Sequence, residues 1–317
     1  MALLEILRAE PAVFAVLVGL LGLLVGSFLN VVVHRLPRMM EAEWRAQCAE
    51  LAANDAHQGD DAAPAVAAAA SASTAAPAGG ETAPRYSLIA PRSACPACGA
   101  PITALQNIPV LSWLALRGRC AACDAAIAAR YPLVELATGF LSGLVAWHFG
   151  LSWEAGCALL VTWYLLAMTG IDIDQQLLPD SLTLPLLWAG LFASVCLGRG
   201  AAALPVDPRS AVLGACFGYL SLWSVYHLFR LATGKEGMGR GDFKLFAALG
   251  AWLGWQMLLP VILFAAATGA VIGILLIVLR RHGREVPIPF GPYLAAAGWL
   301  VMMWSPTLVA PWWAIAR

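Results

Sequence analysis

The residues best placed to do chemistry are aspartates. Gly239-Arg240-Gly241-Asp242, and Asp172-Ile173-Asp174 running on to Pro179-Asp180, set carboxylates at the ends of long apolar segments. An ionisable group at a membrane boundary is costly, so each is a functional candidate whose partner must be named. Two such aspartates brought together can divide the work of peptide hydrolysis, one carboxylate activating water while the other, protonated, polarises a scissile carbonyl. Simpler readings compete. Asp242 could cap a helix beginning at Phe243, and Asp180 one beginning at Ser181, because Asp is a favoured cap residue. Pro179 and Ser181 complete an ordinary helix start, so Asp180 is read as a cap. The glycines at 239 and 241 allow close backbone approach and strained angles, which a simple cap does not require. Asp172 and Asp174 face different directions on a helix, so one of them is expected to meet Asp242. Asp172 lies deeper, directly after the apolar run 165–171, and depth suits a dyad that shares a proton.

Cysteines form the second constellation. Cys95-Pro96-Ala97-Cys98 and Cys120-Ala121-Ala122-Cys123 are paired C-x-x-C knuckles, a spacing that suits tetrahedral zinc. A disulfide framework and a redox C-x-x-C are the rivals. The predicted location of this loop in a reducing compartment opposes the first, and a redox pair has no need of a second knuckle. A structural role is expected, since so small an apolar core would be held together by the metal. Cys48, Cys157, Cys196 and Cys216 lack ligand spacing and are read as packing residues.

These groups sit in a chain of 317 residues that is 61% hydrophobic and only 12% charged, with a mean hydropathy of +0.75. A soluble globule carries roughly 25% charged residues; most of this chain therefore belongs in lipid. Its zero net charge says nothing about partners. The apolar run 11–33 is about twice a signal-peptide core, has no cleavage site after it and is followed by its basic cluster, so it reads as a retained membrane helix. Seven further stretches, 133–150, 154–171, 181–198, 209–231, 243–258, 260–279 and 287–305, are each long enough to span a bilayer. The span 243–258 is short and abuts Pro260, which keeps seven helices open as an alternative to eight. The predicted fold is thus an all-α polytopic membrane protein. It divides into a first helix (1–33), a loop domain (34–132) holding the cysteines, and a seven-helix membrane domain (133–317). Within the loop, 40–54 is expected to be helical, and an Ala-rich insertion at about 55–83 has too little apolar pattern to fold.

Orientation follows from the basic residues. With the first helix running outside to inside, fifteen of the 19 Lys and Arg fall on the inner side, as the positive-inside rule requires. Asp172, Asp242 and the cysteine loop then share the cytoplasmic face, and with eight spans both termini lie outside.

The chain resembles the type IV prepilin peptidases. The resemblance rests on Gly26-Ser27-Phe28-Leu29-Asn30-Val31-Val32 with His34-Arg35-Leu36-Pro37, and on Ser93-Ala94-Cys95-Pro96-Ala97-Cys98-Gly99. Asn107-Ile108-Pro109-Val110-Leu111-Ser112-Trp113, Leu116-Arg117-Gly118-Arg119-Cys120 and Arg130-Tyr131-Pro132-Leu133-Val134-Glu135 continue it, and both aspartate motifs with Pro289-Phe290-Gly291-Pro292 complete it. It implies an inner-membrane aspartic peptidase that removes basic leaders from prepilins and pseudopilins, for pilus assembly or type II secretion. The partners expected are those substrates and lipid, not nucleic acid. Methylation of the new N-terminus from S-adenosylmethionine would follow. The family's catalytic aspartates fall on Asp172 and Asp242, with Gly239 and Gly241 supporting the loop, zinc on Cys95, Cys98, Cys120 and Cys123, and Arg117, Gly118 and Glu135 as contributors to the methyl-donor site. No Gly-rich fingerprint marks that site independently. Two departures stand out: the Ala-rich insertion has no family counterpart, and Ala100 replaces the polar residue usual after the first knuckle. A proton-coupled transporter is the rival class, and it expects carboxylates near the midplane on broken helices. A zinc-held assembly platform is a third, and leaves the aspartates unexplained.

Overall fold

The computed structural model describes residues 2–58, 87–103, 105–198, 204–235, 237–279 and 289–315. Most of the insertion lies outside the described residues, as do Arg199, Arg280, Arg281, Arg284 and Arg317 among the basic residues that set the orientation. Those described are helical apart from loops and two isolated bridges. The helices are α1 (Ala2–Ala9), α2 (Pro11–Gln58), α3 (Leu111–Ala115), α4 (Arg130–Phe149), α5 (Trp153–Gln175), α6 (Asp180–Leu197), α7 (Pro208–Thr233), α8 (Arg240–Leu253), α9 (Leu258–Val278) and α10 (Gly291–Ile315). Five stretches, Pro11–Asn54, Trp153–Gln175, Asp180–Leu197, Pro208–Thr233 and Trp255–Leu276, are long and apolar enough to cross a membrane.

Local chemistry sets the boundaries. Pro11 and Pro208 occupy first-turn positions, where a missing N–H costs nothing. Ser152 and Asp207 cap α5 and α7 by accepting the Ala155 and Ser210 N–H groups, each at 3.1 Å. The expected helix at 40–54 is present, but as the unbroken continuation of the first span through Pro37.

Small residues let the helices touch. A Cβ on Gly22 would stand 2.6 Å from Ser142 Oγ, and one on Gly26 2.7 Å from Glu135 Cα. α2 and α4 therefore pack backbone to backbone along a stripe of Gly, Ser and Thr, the usual solution where lipid removes the hydrophobic drive between helices. Gly214 and Gly250 do the same for α7 and α8. α8 is the hub. From Leu245 to Leu253 every residue is buried, and the helix packs against α6, α7 and α10. At 14 residues it is only about 21 Å long, which explains why the sequence showed a short span there. Gly254, at φ 82°, ends it, and a 3-10 turn at Trp255–Met257 leads into α9.

Candidate active site

Asp172 lies in the last turn of α5, which Gln176 closes in the left-handed conformation by donating its N–H to the Asp172 carbonyl at 2.9 Å. Asp242 lies in the first turn of α8. Both carboxylates are only 5% exposed and are close enough to interact through their charges. Leu178, in the link between α5 and α6, joins the two surroundings. A Cβ on Gly241 would fall 2.5 Å from its Cβ, and one on Gly291 3.2 Å from its Cδ1. Gly291, the first residue of α10, directs its N–H at the Asp172 carboxylate. A Cβ there would lie 2.5 Å from Asp172 Oδ2. That oxygen is sealed from solvent and has no hydrogen-bond partner. A buried carboxylate oxygen without a donor is expensive, so the site has one acceptor position open to a substrate atom, a water or a shared proton.

Of the two properties expected of the glycines, close approach is present and strained angles are not. Gly239 has an ordinary extended conformation, φ −70° and ψ 139°, and neither it nor Gly241 has a positive φ. What matters is space: Asp242 folds back over Gly239, with Oδ2 3.2 Å from where a Cβ would stand. The Gly239 N–H also faces the Asp242 carboxylate, the approach that a capping box makes to its third helical residue. Capping and burial coexist in one side chain.

The other two aspartates are engaged elsewhere. Asp174 is paired to Arg130 of α4 at 2.5 Å, and Arg130 also reaches the Gly170 carbonyl at 3.2 Å. The greater depth expected of Asp172 accords with this division. Asp180 makes no side-chain cap, contrary to expectation. Both its oxygens hold Lys244 Nζ, at 2.5 and 2.7 Å. The sequence did not mark Leu178 or Lys244 as site residues, and Gly291 entered only as part of Pro289-Phe290-Gly291-Pro292.

The knuckle cysteines converge: the four Sγ atoms lie within 4.8 Å of one another, and Cys95 and Cys123 are 3.8 Å apart. A tetrahedron with zinc–sulfur bonds of about 2.3 Å has edges of about 3.8 Å, so the set fits zinc. The two knuckles are built alike. Isolated bridges Ala94–Pro101 and Arg119–Ala126 close them, and the residue four beyond each first cysteine, Gly99 or Asp124, has positive φ. The N–H groups of Cys98 and Ala97 lower the Cys95 thiol to about 6. The Ala125 N–H favours a thiolate at Cys123, yet the crowded thiols of Cys98, Cys120 and Cys95 push it up to about 12. Four thiols so arranged favour a cation among them. All eight cysteines are free thiols. Of the remaining four, Cys157 packs against the core as expected, whereas Cys48, Cys196 and Cys216 are exposed.

Glu135, Arg117 and Gly118 are held by different contacts. Glu135 accepts the Val110 N–H at 2.8 Å, with the side chains of Ser27 and Asn30 beside it. Gly118 lies under Trp113, and Arg117 turns the chain at φ 50° beyond the far end of α3. Contacts tie all these parts to one end of the bundle: Asn30 to the Tyr131 carbonyl at 3.0 Å, Arg35 to the Ser87 and Pro91 carbonyls at 2.9 and 2.7 Å, Arg130 to Asp174.

A helical membrane bundle that buries two interacting carboxylates at one end has the build of an intramembrane aspartic peptidase. The chain belongs to the type IV leader peptidase family: that family's model matches residues 159–274, and the bacterial Peptidase A24 N-terminal domain matches 20–149. It is 51% identical over 308 residues to a prepilin leader peptidase/N-methyltransferase of Pseudomonas aeruginosa, covering 96% of this chain and 95% of that one. A protein of the same description from Stutzerimonas stutzeri is 50% identical over 313 residues, covering 99% and 98%. One from Aeromonas hydrophila is 51% identical over 306, covering 96% of each. No solved structure matches.

Proposed function

We propose that this chain is a bifunctional leader peptidase and N-methyltransferase of the bacterial inner membrane. It cuts the basic leader from prepilins and pseudopilins at the cytoplasmic face and methylates the new N-terminus from S-adenosylmethionine, in support of pilus assembly or type II secretion. The observation that carries the peptidase reading is the meeting of buried Asp172 and Asp242 around Leu178, with one oxygen left without a partner. One aspartate, ionised, takes a proton from water; the other, protonated, donates to the carbonyl oxygen of the scissile bond. Both lie at helix ends, not on broken helices at mid-depth, which speaks against the transporter reading.

The topology that fits has eight spans, α2 and α4 to α10, with α8 sheathed by its neighbours. The loop domain 34–132 lies on the same side as the aspartates, and 133–317 forms the protease bundle. Cys95, Cys98, Cys120 and Cys123 would hold a zinc ion that cross-links the two knuckles, a structural contribution with no part in the peptidase step. Methyl transfer is assigned to the chain, with Arg117, Gly118 and Glu135 proposed as contributors to the methyl-donor site.

The deciding experiment is to incubate the purified protein with a prepilin, with and without S-adenosylmethionine, and weigh the product. Leader loss alone without the donor, and leader loss plus one methyl group with it, are expected. An uncut prepilin overturns the peptidase reading; cleavage with no methyl gain overturns the second activity.

A further inference from the structure

The loop domain carries an apolar surface that neither the catalytic site nor the metal site uses. From 101 to 116 the chain has no charged residue, although it runs through the hydrophilic interval between the two knuckles. Its large side chains do not make a core. Ile102, Leu105, Ile108, Leu111 and Leu114 are all exposed, Leu105 by 77%, Leu111 by 65% and Leu114 by 58%. Trp113, in contrast, turns inward, donating to the Ile127 carbonyl at 3.2 Å and covering Gly118. The segment therefore turns an aromatic anchor toward the domain and leaves five large aliphatic side chains uncovered.

Its position relative to the bundle identifies what covers those side chains. Val110, beside Leu111, is held by the Glu135 carboxylate at 2.8 Å, and Glu135 belongs to the start of α4. The neighbours of Glu135 on α4, Leu133 and Leu136, are exposed by 62% and 48%, as side chains facing lipid would be. The exposed aliphatic side chains are thus tethered through Val110 at the end of α4 where its exposed leucines begin. Arg117 and Arg119 follow at once, where anionic headgroups would meet them.

We infer that residues 101–116 lie in the headgroup region of the bilayer leaflet nearest Asp172 and Asp242, with Ile102, Leu105, Ile108, Leu111 and Leu114 in contact with lipid. The segment is an interfacial anchor: it fixes the zinc-knuckle domain against the membrane at the side where α2 and α4 emerge. The inference depends on the bundle lying in a bilayer and not on the assignment of catalytic residues.

Full-length protein in nanodiscs of phosphatidylethanolamine and phosphatidylglycerol, doped with a phospholipid bearing an acyl-chain diazirine, would be irradiated and its peptides mapped by mass spectrometry. Lipid adducts are expected on 101–116 as well as on 133–140, and Leu111→Asn with Leu114→Asn should strongly reduce the first set while sparing the second and the bound zinc. Adducts on 133–140 without any on 101–116 overturn the inference. So does labelling of 101–116 that appears only after 62–80 is deleted, since the chain's own insertion would then be the cover. Capture of this segment by a photoreactive prepilin in place of lipid also overturns it. If the double variant fails to fold, the wild-type map decides alone; undiminished adducts in a folded variant overturn the role of the leucines.

Discussion

Lys244 Nζ lies 2.5 Å from one carboxylate oxygen of Asp180 and 2.7 Å from the other. The pair clips the start of α6 to the first turn of α8. Lys244 is two residues from Asp242, and Asp180 two from Leu178, so the clip closes a ring around the proposed catalytic pair. Its side chains are 30% and 56% exposed, which limits the contribution to stability to about 1 kcal/mol or less.

Loss of the clip should therefore show in catalysis before it shows in folding. Lys244→Ala and Asp180→Ala are each expected to lower the turnover number for leader cleavage with little change in thermal midpoint. The exchange Asp180→Lys with Lys244→Asp should recover part of the loss, which a merely local surface effect would not. Steady-state kinetics beside a melting curve checks this.

Asp172→Asn and Asp242→Asn should each cut the cleavage rate by roughly 10²–10⁴-fold, the size of a general acid–base contribution, while the protein still inserts and folds. Asp174→Asn should keep substantial activity, since its carboxylate is paired to Arg130 at 2.5 Å. Single-turnover assays on the three variants separate the roles, and a fully active Asp172→Asn or Asp242→Asn enzyme would remove the dyad.

Gly291→Ala is the smallest change expected to be severe. The added methyl carbon would stand 2.5 Å from Asp172 Oδ2, and overpacking of this kind costs about 1–3 kcal/mol. Gly241→Val should act through Leu178 and Gly239→Val through Asp242 itself. All three should reduce cleavage sharply with insertion intact. A control at Gly156, where a Cβ meets nothing within 4 Å, should be silent.

Metal analysis of detergent-purified protein should find one zinc per chain, lost in Cys95→Ser with Cys120→Ser. Equal zinc in both proteins would contradict the site. The four Sγ atoms lie within 4.8 Å of one another, so two removed ligands leave a set too poor to retain the ion.

Much of this was legible in the sequence because it depends on local pattern. Apolar runs long enough to cross a bilayer became helices, paired knuckles converged, and the deeper of two neighbouring aspartates became the buried one. What stayed hidden depends on packing between distant segments. Nothing about Leu178 marks it as the wedge between Gly241 and Gly291, because an isolated leucine in a linker has no periodicity. Asp180 follows a proline and precedes a serine, as a cap would, and only the arrival of Lys244 on another helix shows it otherwise engaged. The glycines at 239 and 241 were singled out for close approach and for strained angles, and the structure uses the first and not the second.

The length of α2 has a consequence for the Ala-rich insertion. From Arg35 to Gln58 the helix rises roughly 35 Å, yet Arg35 also holds the Ser87 carbonyl at 2.9 Å. The chain between 58 and 87 must therefore return from the tip of a mast to its foot. At full extension the stretch 59–86 reaches on the order of 90 Å, ample slack for that return. A chain lacking 62–80 would reach only about 35 Å, barely the distance. Any deeper shortening should unwind the last turns of α2 before it disturbs the dyad.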